Sequence, residues 1–443
     1  MYRKALLLIA TASLSLIPGK GQEKTYWPLD KCIEYAHENN ITIKRQKLNA
    51  DYSQNEYNKS KLAIYPNLNA NSDYTVGFGR VYDTPNNTYN DQTTQMLSGG
   101  VNTNVSLFEG FTKQNSIKKG LNDFKKAQED VKKIENDISL QITAQFLQVL
   151  FNKELLNVAK EQLRVTMLQV ERSKKLVDAG SQAMGSYLEI KSQSAKEALN
   201  VTKQENNLAI SLLNLAQLLD LEDPMTFDIE TPVIPDVTDF ASERPVNIYE
   251  TALGIMPEIK SSNYNLESNQ YQLKTAKGYY YPKVTLGAGW STQASKIEGK
   301  TDFDLSNDLK NNSNSFIGLK LSIPIFNGLQ SRINVKNAQI GVADAQYQLE
   351  NEKLNLRKVI QQAYADAIRS FKNYQASEEA VESYKESFRY TEKKFNVGLV
   401  NSVDYNVAKT DFTKAQSDLL QGKYEYILRT KILDFYRGIP IKL

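Results

Sequence analysis

Four stretches of the chain alternate, residue by residue, between apolar and small or polar side chains. Leu68, Ala70, Tyr74, Val76 and Phe78 alternate with Asn67, Asn69, Asn71, Asp73 and Thr75, and Leu97, Val101, Val105 and Leu107 alternate with Ser98, Asn102, Asn104 and Ser106. Val284, Leu286, Ala288 and Trp290 alternate with Thr285, Gly287 and Gly289, and Ile317, Leu319, Leu321 and Ile323 alternate with Gly318, Lys320 and Ser322. Period two sends successive side chains to opposite faces of a strand. The pattern predicts strands over about 67–79, 97–107, 283–291 and 315–325, with the polar stretches Tyr82–Gln95 and Ser291–Ser315 as connecting loops. Each strand has about the ten residues that cross a bilayer at a tilt, apolar outward and wet inward. A soluble half-buried sheet shows the same alternation, so the strands alone leave both readings open.

Elsewhere the period becomes seven. Ile117, Phe124, Val131 and Ile138 recur at that interval, as do Ile360, Ala367, Tyr374, Val381, Phe388 and Phe395. A seven-residue apolar repeat is the seam of a coiled coil. No proline lies between Pro85 and Pro224, or between Pro324 and Pro440. Proline inside a helix costs roughly 3 kcal/mol, so these gaps suit long helices. Helices are expected over about 30–64, 111–178, 186–220, 247–280, 329–397 and 402–437. At 1.5 Å per residue, the helix over 111–178 is roughly 100 Å long, too long for a compact domain but right for a tall tube or a fibre.

The chain is also written twice. Ala36, Ile43-Lys44 and Tyr65-Pro66 reappear as Ala252, Ile259-Lys260 and Tyr281-Pro282, at an offset of 216. Phe108-x-Gly110, Gly180 and Tyr187 reappear as Phe326-x-Gly328, Gly398 and Tyr405, at an offset of 218. The two extra residues fall within a hairpin, where length change is tolerated. This divides the chain into a first repeat over 22–221, an acidic Pro-rich linker over 222–245 and a second repeat over 246–443.

Ahead of the first repeat, Arg3 and Lys4 precede an apolar run from Ala5 to Ile17, followed by Gly19 and Gly21. Residues 1–21 therefore read as a signal peptide, cleaved after Gly21. Removing its three bases leaves 51 bases against 51 acids, a near-neutral chain with nothing to suggest a nucleic-acid partner. No later segment resembles a transmembrane helix, so a membrane crossing requires strands closed into a barrel. Four strands cannot close one, whereas three copies give about twelve. Cys32 is the only cysteine; Lys31 before it is wrong for a lipid-attachment site, and the expectation is a buried small apolar residue.

These features together resemble the TolC family: a leader, a repeated order of helix, two strands, very long helix, turn and helix, and a Phe-x-Gly step into each long helix. Val397-Gly398-Leu399 followed by Ser402-x-Asp404 is similar to the family's Val-Gly-Leu tip, while Ala179-Gly180-Ser181 keeps only the glycine. The resemblance implies a mainly α protein with membrane β: a trimer with a 12-stranded β-barrel in the outer membrane on a periplasmic 12-helix α-barrel. It implies a passive exit duct of a tripartite efflux or type I secretion system, working with a periplasmic adaptor and an inner-membrane pump. Ala179, Gly180, Ser181, Val397, Gly398 and Leu399 would meet the adaptor. Asp404 would form the pore constriction, with Val407 where relatives carry a second acid. Ser186, Phe395 and Val400 match the family's closing contacts but cannot make the same ionic or tyrosine-hydroxyl links. Asp404 also has two plainer readings, a helix cap or surface charge.

Catalytic chemistry finds little support. His37 is the single histidine and is expected to be a surface or helix-packing residue; neither metal, cofactor nor catalytic triad is expected. Gly77, Gly79, Gly287 and Gly289 complete no phosphate-binding loop and read as close-packing points in a barrel wall. The rival to a channel is a periplasmic coiled-coil scaffold without a pore, which has no need of four amphipathic strands.

Overall fold

A computed structural model describes residues 25–83, 87–233, 243–298 and 303–443. The expected leader over 1–21 lies outside these residues, as does part of the linker. The described chain is mostly helical. Its long elements match in pairs: α1 (Leu29–Asn39) and α5 (Pro245–Ile255) have 11 residues, and α2 (Ile41–Leu62) and α6 (Pro257–Gly278) have 22. Helices α3 (Thr112–Asp178) and α8 (Gln330–Asn396) have 67 each, while α4 (Met184–Leu218) and α9 (Ser402–Tyr436) have 35 each.

Two expected helices are broken. The stretch 30–64 divides at Asn40, whose side chain accepts hydrogen bonds from the amides of Thr42 and Ile43 and so caps α2. The stretch 247–280 divides at Met256, which is held extended because Pro257 follows it at the first turn of α6.

The strands also run further than alternation suggested. β2 (Asn67–Asp83) and β3 (Thr88–Glu109) carry pairing through most of the expected first loop. β5 (Lys283–Ile297) extends into the second, which also holds the short helix α7 (Leu305–Asn311) before β6 (Asn314–Ser322). These four strands form one antiparallel sheet in the order β2-β3-β5-β6, leaving β2 and β6 as its edges. Its register aligns the faces: Asn69 opposes Asn102, which opposes Gly289, while Ala70 opposes Val101, which opposes Trp290. The second hairpin is close-packed at its glycines, since a Cβ on Gly287 would meet Asn104 Oδ1 at 2.9 Å and one on Gly289 the Phe316 ring at 2.7 Å. Gly77 and Gly79 have no comparable neighbour.

Each long helix begins with two successive left-handed residues, Gly110 and Phe111 before α3 and Gly328 and Leu329 before α8. Such a backbone costs a residue with a Cβ more than it costs glycine. Below the sheet the helices lie side by side as α2–α3–α6–α8; beyond mid-length the order is α4–α3–α9–α8. Two apolar cores sit where these layers meet. One joins Cys32, Ile43, Ile142, Phe146, Leu150 and Leu215 around the small parallel pair β1 (Thr25–Trp27) and β4 (Phe227–Ile229), which the sequence reading did not anticipate. The other joins Ile248, Ile259, Ile360 and Leu433. Each such fully buried side chain contributes about 1.5–3 kcal/mol of transfer free energy. Cys32 is free and buried, and burial pushes its thiol up to about 12.

Candidate functional site

The two helical turns at the far end from the sheet close in the same way. After α3, the Ser181 amide donates to the Leu176 carbonyl at 2.8 Å and the Gly180 amide to Val177 at 2.9 Å. After α8, the Leu399 amide donates to Lys394 at 2.9 Å and the Gly398 amide to Phe395 at 3.1 Å. These paired bonds are a Schellman stop, which requires a left-handed residue at its corner. Gly180 (φ +71°) and Gly398 (φ +76°) supply it. A Cβ at either glycine would meet nothing within 4 Å, so backbone conformation rather than crowding requires glycine, and the surface above both is open. Val397 and Leu399 stand out from the second turn, 70% and 75% exposed.

The turns sit beside one another around a cleft of about 390 Å³. Arg172 of α3 donates to Asn396 Oδ1 at 2.5 Å, and Ser402 at the start of α9 donates to Glu189 of α4. Five of the six residues expected at an adaptor contact flank this end on two turns; Ala179 is the sixth, at the last helical bond of α3. Phe395, one of the expected closing positions, instead stacks on Tyr405 with ring centroids 4.8 Å apart. Ser186 lies in the first turn of α4, its amide bonded to the Ala183 carbonyl, and Val400 lines the cleft.

Asp404 is exposed in the first turn of α9. Its amide donates to Asn401 Oδ1 at 2.9 Å, so Asn401 is the capping residue. Asp411, Asp418 and Glu425 follow Asp404 at seven-residue intervals, a line that the spacing alone makes legible. Glu425, furthest up, pairs with Arg369 at 3.0 Å.

A second feature escaped the sequence reading. Lys409 of α9 is 2% exposed, and its Nζ lies 3.0 Å from Glu197 Oε1 of α4 and 3.0 Å from the Gln162 carbonyl of α3, and also donates to Thr166. Burial lowers the lysine pKa, and the Glu197 charge opposes that shift. The Tyr405 hydroxyl is buried one turn away without a hydrogen-bond partner; burial and then the Glu392 and Glu197 charges push its pKa up. The signal was available: Ser402, Tyr405, Lys409 and Phe412 form a three-four spaced stripe, so Lys409 occupies a seam position.

His37 Nε2 lies 2.8 Å from Ser139 Oγ and 3.3 Å from the Glu135 carbonyl, joining α1 to α3. Among the described residues, no three metal-ligating side chains gather, and no helix is long and apolar enough to cross a membrane.

Comparison with known proteins agrees with this architecture. The chain is 21% identical over 441 residues to outer membrane protein TolC of Escherichia coli (strain K12), covering 96% of this chain and 84% of TolC. It is 24% identical over 348 residues to the probable outer membrane lipoprotein SilC of Salmonella typhimurium, covering 76% and 68%. The crystal structure of CusC superposes with a TM-score of 0.78 at 17% identity, covering 94% of this chain and 93% of CusC. The sequence profile of the outer membrane efflux proteins matches residues 32–220 and 248–435, which include both 67-residue helices and the whole four-stranded sheet, and the chain belongs to that family.

Proposed function

We propose that this protein is the outer-membrane exit duct of a tripartite efflux or type I secretion system, a passive channel for solutes handed on by an inner-membrane pump. It is an outer-membrane protein of an efflux-channel family, and that family's work is conduction rather than catalysis. The observation that carries the reading is the junction of an amphipathic four-stranded sheet with two 67-residue helices. Lipid leaves the N–H and C=O groups of an open strand edge unsatisfied, so edges β2 and β6 must be covered by other copies. Three copies supply twelve strands, within the range of outer-membrane barrels, and continue below as a ring of helices. On this reading residues 1–21 are a leader, and 22–221 and 246–443 are structural repeats joined by the linker 222–245.

The open turns at Ala179, Gly180 and Ser181 and at Val397, Gly398 and Leu399 form the surface for a periplasmic adaptor. Asp404 lines the constriction, where threefold symmetry gives a ring of three carboxylates. The test is membrane fractionation, mass measurement of the detergent-extracted complex and conductance in planar bilayers. The expected result is a conducting outer-membrane trimer; a soluble periplasmic monomer would end the reading.

A further inference from the structure

The steps between sheet and helices carry a charge imbalance that the chain as a whole lacks. Residues 59–66, 109–119, 277–283 and 322–336 span the four steps and hold nine Lys and Arg against one acid, Glu109, in a chain of 54 bases and 51 acids. Glu109 pairs with Lys283, and just beyond the steps Glu56 takes Lys59 and Asp123 takes Lys119. Among the described residues no carboxylate pairs with Lys61, Lys113, Lys118, Lys277, Arg332 or Lys336. Tyr65, Tyr279, Tyr280 and Tyr281 stand exposed beside them. Tyrosine and the lysine ammonium are groups that settle at the headgroup level of a bilayer.

Four of the six bases recur with the repeat. Lys61 returns as Lys277, each four residues ahead of a Tyr-Pro step, and Lys118 returns as Lys336, each eight residues past the glycine that opens its long helix. All four are exposed. Eight residues of helix measure about 12 Å, near one Debye length at physiological salt, and the lysine arm shortens the gap. Lys118, Lys125, Lys132 and Ser139 follow at seven-residue intervals and so share a face of α3, and Ser139 is the residue that His37 of α1 meets. On α8, Lys336 stands as far ahead of Arg357 as Lys118 stands ahead of Ser139, and Arg357 lies over the Tyr249 ring of α5 at 4.9 Å. Both lysines therefore lie on the face that carries the short helices α1 and α5. A conducting bore leaves room for those helices on its outer side alone, so both lysines face outward.

We infer that this basic collar binds anionic phospholipid headgroups of the periplasmic leaflet and retains such lipids around the protein. This rests on the outer-membrane duct proposed above and adds its lipid partner. The apolar face of the sheet takes acyl chains whatever headgroup they carry; the collar directly below it adds a preference by charge. A zwitterionic headgroup has no net charge to offer the six unpaired bases, whereas a phosphodiester without an amine has one. Lysine is a point charge rather than a planar fork, so the collar selects headgroups by net charge and not by shape. Because the lysines recur in both repeats, they are spread around the outside of the protein and not gathered at one spot. A lysine near an anionic surface is worth about a fivefold change in binding.

The test uses the full-length protein reconstituted into vesicles of equal parts phosphatidylethanolamine and phosphatidylglycerol. The protein is extracted in detergent, its retained lipid is counted by native mass spectrometry, and the ion selectivity of the reconstituted channel is read in parallel. The parent is expected to retain phosphatidylglycerol over phosphatidylethanolamine by about fivefold or more, and to lose that excess as salt is raised. Lys61→Gln, Lys118→Gln, Lys277→Gln and Lys336→Gln combined are expected to bring the ratio to that of the vesicles. Lys174→Gln with Lys393→Gln, which removes exposed charge at the far end of the same two long helices, is expected to leave the excess in place. A conducting oligomer with no excess of phosphatidylglycerol, or with an excess that salt does not weaken, overturns the collar and leaves the duct standing; this arm needs no variant. An equal excess in the parent and the quadruple variant overturns the assignment to these lysines. Altered ion selectivity with unaltered lipid places the lysines in the bore and overturns their outward position. A parent that does not enter the vesicles overturns the duct, and the collar with it.

Discussion

Lys409 of α9 holds Glu197 of α4 at 3.0 Å, and through the Gln162 carbonyl and Thr166 of α3 it binds three helices at one buried point. Removing one partner of a buried ion pair leaves the other charge uncompensated, at a cost of about 3–5 kcal/mol, whereas replacing both by apolar residues is often close to neutral. Lys409→Met is therefore expected to lower the unfolding midpoint of the detergent-solubilised protein strongly, and Lys409→Met with Glu197→Leu to recover most of the loss. Equal midpoints for the single variant and the parent would show that the pair contributes no net stability.

Asp404 and its neighbour Asn401 separate charge from capping. Asn401→Ala removes the side-chain acceptor for the Asp404 amide, and is expected to cost about 1 kcal/mol without altering ion selectivity. Asp404→Asn leaves the cap in place and is expected to reduce cation selectivity and block by trivalent cations in single-channel recordings, since a narrow throat concentrates the field of like charges. Unchanged selectivity in Asp404→Asn would return that residue to ordinary surface charge.

Leu399 is 75% exposed on the open side of the Gly398 turn. Leu399→Glu is expected to abolish efflux in intact cells while oligomer and surface level stay at those of the parent. Efflux at the parental rate would take Leu399 out of the adaptor surface.

An acid cluster at mid-length gives a pH dependence. Burial raises the Glu258 carboxyl above its ordinary 4.5, with Asp137 and Glu352 reinforcing the shift and a backbone hydrogen bond and Lys133 opposing it. Burial raises Asp137 as well, against Lys133. Tyr436 faces the same charges and is pushed up to about 12, chiefly by burial. A carboxyl whose folded pKa exceeds its unfolded one binds more protons when folded, so its contribution is present at low pH and is lost as pH rises through the folded value. The protein is expected to unfold at higher temperature near pH 5 than near neutrality, and Glu258→Gln to flatten that difference. An identical pH profile for both proteins would exclude Glu258 as its source.

Long-range periodicity made much of this fold legible. Proline-free stretches and seven-residue repeats mark α3 and α8, whose ends fall within a residue or two of the expected ones. The same signals pass over Asn40 and Met256, because a one-residue extended break leaves the apolar spacing on either side almost undisturbed. Alternation located the strands but not their ends, since Arg80 and Tyr82 of β2 and Gln92 and Thr94 of β3 pair through backbone groups whatever their side chains. At the tip, glycine spacing identified both turns. Lys409 was missed because a charged side chain at a seam position reads as solvated surface unless its partner on another helix is known.

The Lys409 contact has no counterpart where one copy would meet the next. By the repeat offset of 218, Lys409 itself corresponds to Lys191, and its partners Glu197, Gln162 and Thr166 correspond to Ala415, Ala380 and Tyr384; Lys191 and Tyr384 are exposed, and Ala415 offers no charge. A closed ring of identical chains would thus contain two kinds of joint in its lower half, keyed ones inside each chain and unkeyed ones between chains. Torque applied at the tip would part the unkeyed joints before the keyed ones, so each chain would swing as a solid stave.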